Sequence, residues 1–418
     1  MEVNAQQIES IVRELLGQIG GDADKKDCSC GNCTCGKSEG GSAAVSGSIP
    51  KTAKVAMLMK PKDIQVKEYP IPPVGDNDIL VKVEGCGVCG TDVHEWKGDP
   101  FGMAPLVLGH EGTGTIVAMG KNVHCDTAGK PLKIGDKLVT SVTKCGECYT
   151  CRMLPEKSNL CDKQGIFGLI PDSEDKHLNG WFSEYLMISR EGATYFEVND
   201  LDLYERMLLE VACVCVHALE RGQSTGLLHF NSKVLVQGCG PVGLMMIAVL
   251  RAAGINHIIA VDGSAKRLEM ATKLGAKTTI NFKEMPDAAA RVAEVKKVAN
   301  GVGADFAYQC TGAPAAHAGI YDYIRRGGGL CEMGFFVNNG ECSINPHFAY
   351  CNKEITLVGS WDYTAHDYPV TMAFMKQARE MNIPIKELVT HTYPLDKLNE
   401  AMETNISQQG IKICYIAE

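Results

Sequence analysis

The chain has 418 residues, 45% of them hydrophobic and 22% charged, and its formal net charge is −9 at pH 7. This length suffices for two domains with a large buried core. The acidic balance, with no Lys/Arg-rich patch to offset it, argues against nucleic acid as a partner, and no apolar run approaches the roughly 20 residues that a membrane-spanning helix needs. The first ten residues lack the apolar segment of a signal peptide, so we expect a soluble cytoplasmic protein whose 19 cysteines bind metal or pack as small apolar residues.

Residues 1–20 form a predicted amphipathic helix. Apolar side chains recur there with helical spacing and would share one stripe: Ile8, Ile11, Val12, Leu15, Leu16 and Ile19. Asn4 and Gln7 have the spacing of a capping box, and Gly20 and Gly21 end the pattern. The pattern is similar to the encapsulation peptides that deliver cargo into bacterial microcompartments, which implies shell or cargo proteins as partners. Packing against its own chain and a role as an oligomerisation arm are the alternatives.

Residues 21–52 are rich in Gly, Ser, Asp and Lys, a composition typical of a flexible linker. Four cysteines stand within it: Cys28, Cys30, Cys33 and Cys35. They could bind zinc, another soft metal or an iron–sulfur cluster. Their spacing matches no familiar site, and adventitious metal binding or redox cross-linking explains it equally well, so this cluster stays unassigned.

Residues 53–210 alternate short β-type runs with Gly/Pro turns, which predicts a compact β-rich domain. Within it, Gly-Val-Cys-Gly-Thr-Asp-Val-His at 87–94 is followed by Gly-His-Glu-Gly-Thr-Gly at 109–114. Together they offer a thiolate at Cys89, an imidazole at His110 and a carboxylate at Glu111. One sulfur, one nitrogen and one oxygen ligand with an open position suit a catalytic zinc, because structural zinc is enclosed by four protein ligands.

A second group of cysteines follows in the same domain: Cys145, Cys148, Cys151 and Cys161. In a reducing compartment, this spacing predicts a structural zinc held by four thiolates. The alternative is a pair of disulfides in a secreted protein, and the absence of a signal peptide disfavours it.

From about residue 211 to 350, strand and helix patterns alternate, which predicts a doubly wound parallel sheet. A buried strand pattern leads directly into the glycines of a dinucleotide-binding fingerprint: Gly238, Gly240 and Gly243. The next strand ends at Asp262, whose carboxylate can accept a hydrogen bond from a ribose 2′-hydroxyl. NAD is therefore favoured over NADP, although Arg267 stands close by. Residues 351–418 are expected to return to the catalytic domain, so that the active site lies between the two domains.

These motifs, in this order, resemble those of the zinc-dependent medium-chain dehydrogenases, and the chain looks most like their polyol (sorbitol) and threonine dehydrogenase branch. The resemblance covers roughly residue 53 to the C-terminus and implies an α/β fold with a GroES-like β-rich catalytic domain and a Rossmann domain. It implies that Cys89 and His110 are catalytic zinc ligands and that Glu111 is an exchanging ligand. It also implies that Asp92 orients the imidazole of His110.

The same resemblance assigns Glu210 as a further carboxylate ligand of the catalytic zinc. The polyol branch usually has a proline after this glutamate, whereas Val211 follows here, and the nearby thiol of Cys213 is a competing ligand on the same helix face. The structural loop also departs from the family pattern, because nine residues instead of seven precede Cys161.

The family resemblance implies a hydride transfer between a carbinol carbon and the nicotinamide of NAD. Thr91 would take part in passing the alcohol proton through the cofactor ribose to His94 near the surface. Val242 and Arg267 are further candidates for contacts with the cofactor. Relatives form dimers and tetramers, so a homo-oligomer is expected.

The residues leave the substrate open among small alcohols, aldehydes and ketones. If residues 1–20 are a cargo signal, the task would be to reduce a short aldehyde inside a shell and to regenerate NAD. A cytosolic polyol or threonine-type dehydrogenase is the alternative within the same family. A hypothesis from a different functional class is that the chain is a redox- or metal-responsive binding protein in which the cysteine-rich linker is the active part.

Overall fold

The structure is a computed structural model that describes residues 49–173, 176–189 and 191–418. The predicted N-terminal helix and the cysteine cluster of the linker lie outside the described residues. Within the described ranges, no helix is both long enough and apolar enough to cross a membrane.

The described chain contains sixteen strands. They are β1 (Thr52–Lys60), β2 (Asp63–Pro70), β3 (Ile79–Gly87), β4 (Leu106–Val107), β5 (Glu111–Met119), β6 (Lys137–Thr140), β7 (Tyr185–Ile188), β8 (Tyr195–Glu197), β9 (Lys233–Gln237), β10 (His257–Asp262), β11 (Thr278–Asn281), β12 (Ala304–Gln309), β13 (Ile324–Glu332), β14 (Thr356–Gly359), β15 (Val389–Tyr393) and β16 (Lys412–Ile416). The first eight strands and the last two form antiparallel sheets, apart from the parallel β15–β16 pair, and β9 to β14 form one parallel sheet.

Ten α-helices connect or flank these strands in the described residues. They are α1 (Gly90–Gly98), α2 (Tyr149–Met153), α3 (Leu203–Met207), α4 (Leu209–Gln223), α5 (Pro241–Ala252), α6 (Ala265–Leu274), α7 (Ala288–Val298), α8 (Pro314–Ile320), α9 (Asp367–Glu380) and α10 (Leu398–Ile406). Short 3-10 turns occur at Pro155–Leu160, Tyr321–Tyr323, Ile385–Leu388 and Leu395–Lys397, and a π turn at His347–Cys351. Side chains satisfy exposed N–H groups at several helix starts, for example Ser264 before α6 and Asp287 before α7.

The antiparallel unit consists of a three-stranded sheet, β2-β1-β4, and a larger sheet with the order β15-β16-β3-β5-β6-β8, in which β7 also pairs with β3. Its core contains fully buried apolar side chains from several strands, such as Leu58, Val81 and Ile116. Alternation along the strands explains this burial, because successive residues point to opposite faces of a sheet. The unit places β3 and β5 side by side, and α1 begins just after β3.

The parallel sheet has the order β11-β10-β9-β12-β13-β14. Its central strand β9 carries Val234, Leu235 and Val236, all fully buried, as expected for a strand covered by helices on both faces. The helix α5 is apolar around most of its circumference because it packs between the sheet and the neighbouring helices α4, α6 and α9. This doubly wound arrangement confirms the predicted fold class.

The segment 351–418, predicted to return to the catalytic domain, divides between the two units. Its first strand, β14, pairs with β13 and completes the parallel sheet, and α9 packs against α4 and α5. The chain re-enters the antiparallel unit at β15, and β16 pairs with β3. Pairing between distant strands decides this crossing point, and the local sequence carries no signal for it.

Candidate active site

A cavity of about 350 Å³ lies where the antiparallel unit meets the parallel sheet. One wall carries Cys89, Thr91 and His110 from the antiparallel unit, and another part of the lining carries Gly240 and Val242 from the start of α5, which follows β9 of the parallel sheet. The two predicted chemistries, metal binding and dinucleotide binding, therefore face a single space of the size that small ligands occupy.

Three predicted metal ligands meet in this cavity. The ligand atoms of Cys89, His110 and Glu111 all lie within 4.8 Å of one another. Cys89 caps the start of α1 with an extended backbone, and His110 and Glu111 stand where β5 begins. Gly109, with φ +89°, lets the chain turn there, and a Cβ at this position would lie 2.7 Å from the ring of Phe182.

Asp92 joins the two ligand segments. Its carboxylate is fully buried and accepts hydrogen bonds from the backbone N–H of Cys89 at 2.8 Å and of Gly109 at 3.1 Å. The same carboxylate lies 3.5 Å from Nδ1 of His110. Burial opposes protonation of His110, but Asp92 and Cys89 raise its pKa well above the ordinary value. Surroundings that favour positive charge, together with a sulfur, nitrogen and oxygen donor set, fit a zinc ion.

Lys412 is a cavity-lining residue that the sequence analysis did not predict. It comes from β16, is 2% exposed, and forms an ion pair with the equally buried Glu111. Burial lowers the pKa of a lysine, but the carboxylate of Glu111 outweighs this effect and raises the pKa of Lys412. A single lysine in the otherwise apolar run Ile411–Tyr415 was the available signal, because an unpaired lysine is almost never fully buried.

Glu210 lines the cavity from the first turn of α4, but it is not part of the group of mutually close ligand atoms. Burial, and then the charge of Glu111, raise the pKa of Glu210 to about 8. The competing ligand, Cys213, is fully buried in the helix core, is not among the residues that line the cavity, and contacts Thr371 instead. Of these two candidates, the described structure therefore brings only Glu210 to the cavity.

The predicted proton-transfer residues lie on α1. Thr91 lines the cavity, and its hydroxyl lies 3.7 Å from Sγ of Cys89. His94 is one helical turn further on, which puts it on the same face. It does not line the cavity itself, but its ring packs edge-on against Phe336, which does. Burial, and then Lys97, lower the pKa of His94.

The four cysteines of the predicted structural site also come together. The sulfur of Cys145 lies 4.0 Å from that of Cys151 and 3.5 Å from that of Cys161, and the sulfurs of Cys148 and Cys161 are 3.9 Å apart. Tetrahedral zinc with Zn–S bonds of about 2.3 Å needs sulfurs about 3.8 Å apart. The backbone N–H of Cys151 helps to lower the pKa of Cys148 to about 6, which favours the thiolate. The longer loop before Cys161 therefore does not prevent this residue from joining the cluster.

The dinucleotide fingerprint forms the turn between β9 and α5. Gly238 has φ +92°, and a Cβ at Gly243 would lie 1.8 Å from the Gly238 carbonyl oxygen, so both positions require glycine. Gly240 has open space where a Cβ would stand, at the N-terminus of the twelve-residue helix α5. This opening and the free N–H groups of the helix start fit a pyrophosphate.

Asp262, at the end of β10, faces the same turn. Its carboxylate accepts hydrogen bonds from the backbone N–H of Cys239 at 2.7 Å and of Ser264 at 2.8 Å. The two other predicted cofactor contacts lie in the same unit. Val242 lines the cavity, and the backbone N–H of Arg267 donates to the hydroxyl of Ser264, two residues after Asp262.

The cavity thus combines a soft-metal donor set with a dinucleotide-binding turn. This combination defines a class of protein, the zinc-dependent dehydrogenases that act on CH–OH groups with a nicotinamide cofactor.

Comparison with known proteins agrees with this class. The model of the alcohol dehydrogenase GroES-like domain matches residues 75–198, and the model of the zinc-binding dehydrogenase domain matches residues 241–377. The chain is 32% identical to the sorbitol dehydrogenase of Bacillus subtilis over 363 residues, which cover 85% of this chain and 94% of that protein. The chain belongs to the zinc-dependent medium-chain alcohol dehydrogenase family, which confirms the predicted enzyme class and its cofactors, zinc and NAD.

Two further relatives illustrate the range of this family. The L-galactonate-5-dehydrogenase of Escherichia coli is 31% identical, and the match covers 85% of this chain and 96% of that protein. The crystal structure of an alcohol dehydrogenase from Thermotoga maritima superposes with a TM-score of 0.80 at 28% identity, covering 88% of this chain and all of that chain. The relatives thus share the fold along most of the chain, while their names differ in substrate.

Proposed function

We propose that this protein is an NAD-dependent polyol dehydrogenase that interconverts a secondary alcohol of a small polyhydroxylated substrate and the corresponding ketone. The observation that carries the proposal is the group formed by Cys89, His110 and Glu111, which shares one cavity with the open turn at Gly240. The sorbitol dehydrogenase among the relatives supports a polyol, since the match covers most of both chains.

In this proposal, Cys89 and His110 hold the catalytic zinc, and Glu111 and Glu210 are carboxylates available to it. When bound, zinc supplies a Lewis acid, and the nicotinamide accepts or returns the hydride. Asp92 keeps the imidazole of His110 oriented through the 3.5 Å contact at Nδ1. A second, structural zinc would be held by four thiolates: Cys145, Cys148, Cys151 and Cys161.

Proton transfer is assigned to α1. The hydroxyl of Thr91 would accept a hydrogen bond from the substrate hydroxyl and pass on its own proton as it takes the substrate's, and His94 would receive the relayed proton and release it to solvent. The ribose of a bound cofactor would supply the hydroxyl between these two side chains. His94 suits this role because its lowered pKa keeps the imidazole neutral, and therefore able to accept a proton, at neutral pH. Thr91 and His94 lie three residues apart on one helix, so a single element positions both.

Cofactor binding is assigned to the turn after β9 and to the end of β10. Gly238, Gly240 and Gly243 would admit the pyrophosphate, and Val242, which lines the cavity, would contact the cofactor. Asp262 would accept hydrogen bonds from the ribose hydroxyls and repel a 2′-phosphate, which favours NAD, and Arg267 would be a further contact with the cofactor. Asp262 suits this role because two backbone N–H groups already hold its carboxylate in place.

The direct test is steady-state kinetics of the purified, zinc-containing protein. Oxidation of sorbitol, xylitol and 2,3-butanediol with NAD, and reduction of fructose and dihydroxyacetone with NADH, are compared with propanal and acetaldehyde. A preference for polyols and ketoses supports the proposal. Turnover of the aldehydes alone contradicts it and favours the aldehyde-reducing alternative. Absence of any turnover, with zinc bound, favours a metal-responsive binding protein.

The microcompartment role is a second candidate, favoured by the amphipathic pattern of residues 1–20. In that role the enzyme would reduce a short aldehyde inside a shell and recycle NAD for a partner dehydrogenase. Deletion of residues 1–20 tests it: unchanged turnover with lost co-assembly with shell proteins supports the role. Dissociation of the enzyme's own oligomer would contradict the microcompartment role and would indicate that residues 1–20 are an oligomerisation arm.

We also propose a two-domain organisation with residues 53–210 as the catalytic domain and 211–350 as the NAD-binding domain, while segment 351–418 completes the NAD-binding sheet through β14 and returns to the catalytic domain at β15. A homo-oligomer is supported by the open edge of the parallel sheet. In the described residues β14 is the edge strand and exposes Leu357 at 51%, and Phe348, in the π turn that precedes β14 in the chain, is exposed at 61%. An apolar open edge favours pairing with the same edge of a second copy.

A further inference from the structure

Asp362 stands in the turn between β14 and α9 and lines the cavity together with Trp361 and Ser360. Its backbone has φ +53°, in the left-handed region that few residues other than glycine adopt. Residues in such conformations persist when their surroundings hold them there, and they concentrate at binding sites. Aspartate tolerates this conformation better than most residues, because its short side chain can hydrogen-bond locally.

The turn is held in place from the segment around the four-cysteine site. The side-chain amide of Gln164 donates to Oδ2 of Asp362 at 2.5 Å, and the side-chain amide of Asn159 donates to the carbonyl oxygen of Trp361 at 2.6 Å. Gln164 and the backbone N–H of Tyr363 are both donors to this carboxylate, and they leave about half of its acceptor capacity unused, since its two oxygens can accept about four hydrogen bonds. Asp362 is therefore a fixed acceptor at the cavity wall that has room for another donor.

The charges around the cavity are mostly negative. Glu210 and Asp362 both line it, and the charge of Asp362 is one of the causes that raise the pKa of Glu210. Among the described residues that line the cavity, Lys412 is the only lysine or arginine, and it is paired with Glu111. Much of the remaining wall is apolar, with Ile166 and Leu169 among its side chains. Among the described side chains of this wall, none therefore offers an unpaired lysine or arginine to a substrate carboxylate.

We propose that Asp362 determines substrate specificity by accepting a hydrogen bond from a second hydroxyl of the substrate, so that the enzyme takes uncharged vicinal diols and polyols and rejects the matching hydroxy acids. The inference rests on the proposed function and narrows it. The Asp362 carboxylate would be stabilised by a hydrogen bond from a substrate hydroxyl, and it would repel a substrate carboxylate, because the largely apolar wall screens the two charges less than bulk water does. The E. coli relative named for L-galactonate shows that the family also contains enzymes for sugar acids.

Three four-carbon substrates test the proposal with the wild type and the Asp362→Asn variant: 2,3-butanediol, 2-butanol and 3-hydroxybutyrate. Asparagine has nearly the same shape, tolerates a positive φ and can still accept from Gln164. We expect kcat/KM for the diol to fall by about 10- to 100-fold in the variant, as for the loss of a hydrogen bond to a charged group. The value for 2-butanol should change by less than about threefold, and that for 3-hydroxybutyrate should rise by about tenfold or more, because the repulsion is lost.

A second variant, Asp362→Gly, distinguishes the effect of the side-chain acceptor from the effect of the backbone conformation. Glycine adopts the positive φ without strain but has no acceptor, so the proposal expects the same loss for the diol. Equal losses for the diol and for 2-butanol in both variants would overturn the proposal and leave Asp362 a structural residue. Retained diol activity in Asp362→Gly would overturn it as well. Absence of NAD-dependent oxidation of all three substrates by the zinc-containing wild type would refute the proposed function itself, and this inference with it.

Discussion

Replacement of Lys412 by methionine tests whether the buried ion pair between Lys412 and Glu111 stabilises the antiparallel unit. Methionine keeps most of the side-chain length but removes the charge that pairs with Glu111. Both residues are 2% exposed, so the Glu111 carboxylate would stay buried without its partner. Breaking a buried pair in this way costs about 3–5 kcal/mol, a large share of the roughly 5–15 kcal/mol by which domains are stable.

The free energy of unfolding is measured by urea titration of the zinc-containing protein, followed by tryptophan fluorescence. The double variant Glu111→Gln/Lys412→Met should recover much of the loss, because no buried charge then remains unpaired. Lys273→Met is the matched control: its partner Glu387 lies 3.2 Å away, but Lys273 is 47% exposed. Lys273→Met should lower the free energy of unfolding by no more than about 0.5 kcal/mol. If Lys412→Met costs as much in the Glu111→Gln background as in the wild type, the pairing argument is wrong.

Three further predictions, one of them with a control variant, address the other parts of the molecule. Cys161→Ser should lower the zinc content by one equivalent per chain, whereas the exposed Cys342→Ser should not; metal analysis showing equal contents would contradict the four-thiolate site. Asp262→Ser should lower kcat/KM for NAD by about tenfold or more and raise the ratio of NADP to NAD turnover; an unchanged ratio would remove Asp262 from the ribose site. Burial, and then Asp99, raise the pKa of Glu95 to about 7. Since an unfolded glutamate titrates near 4.5, stability from this group is complete below that pH and is lost as the pH rises through about 7. Glu95→Gln should remove a decline of about 3 kcal/mol between pH 4.5 and 8 in urea titrations.

Motifs with short spacing could be predicted from the sequence because their geometry is local. Neighbours along the chain decide the turn at Gly238, with φ +92°, and the tight contact at Gly243. The same holds for Cys145, Cys148 and Cys151, which stand within seven residues. Strand and helix periods likewise predicted a β-rich unit followed by a doubly wound sheet. The meeting of Cys89 with His110 and Glu111 also follows from one adjacent strand pair, β3 and β5.

Contacts between distant segments were decided only by the tertiary structure. Lys412 reaches Glu111 because β16, close to the C-terminus, pairs with β3, which lies more than 300 residues earlier in the chain. Gln164 and Asp362, which form a hydrogen bond, are separated by 198 positions in the sequence. The choice between Glu210 and Cys213 also depended on which side of α4 packs inward, since both stand near the same helix face. A local pattern specifies residue types and their period, but it carries no information about which strand or turn lies opposite. The acid–base balance and the charge of the cavity are therefore properties of the assembled fold.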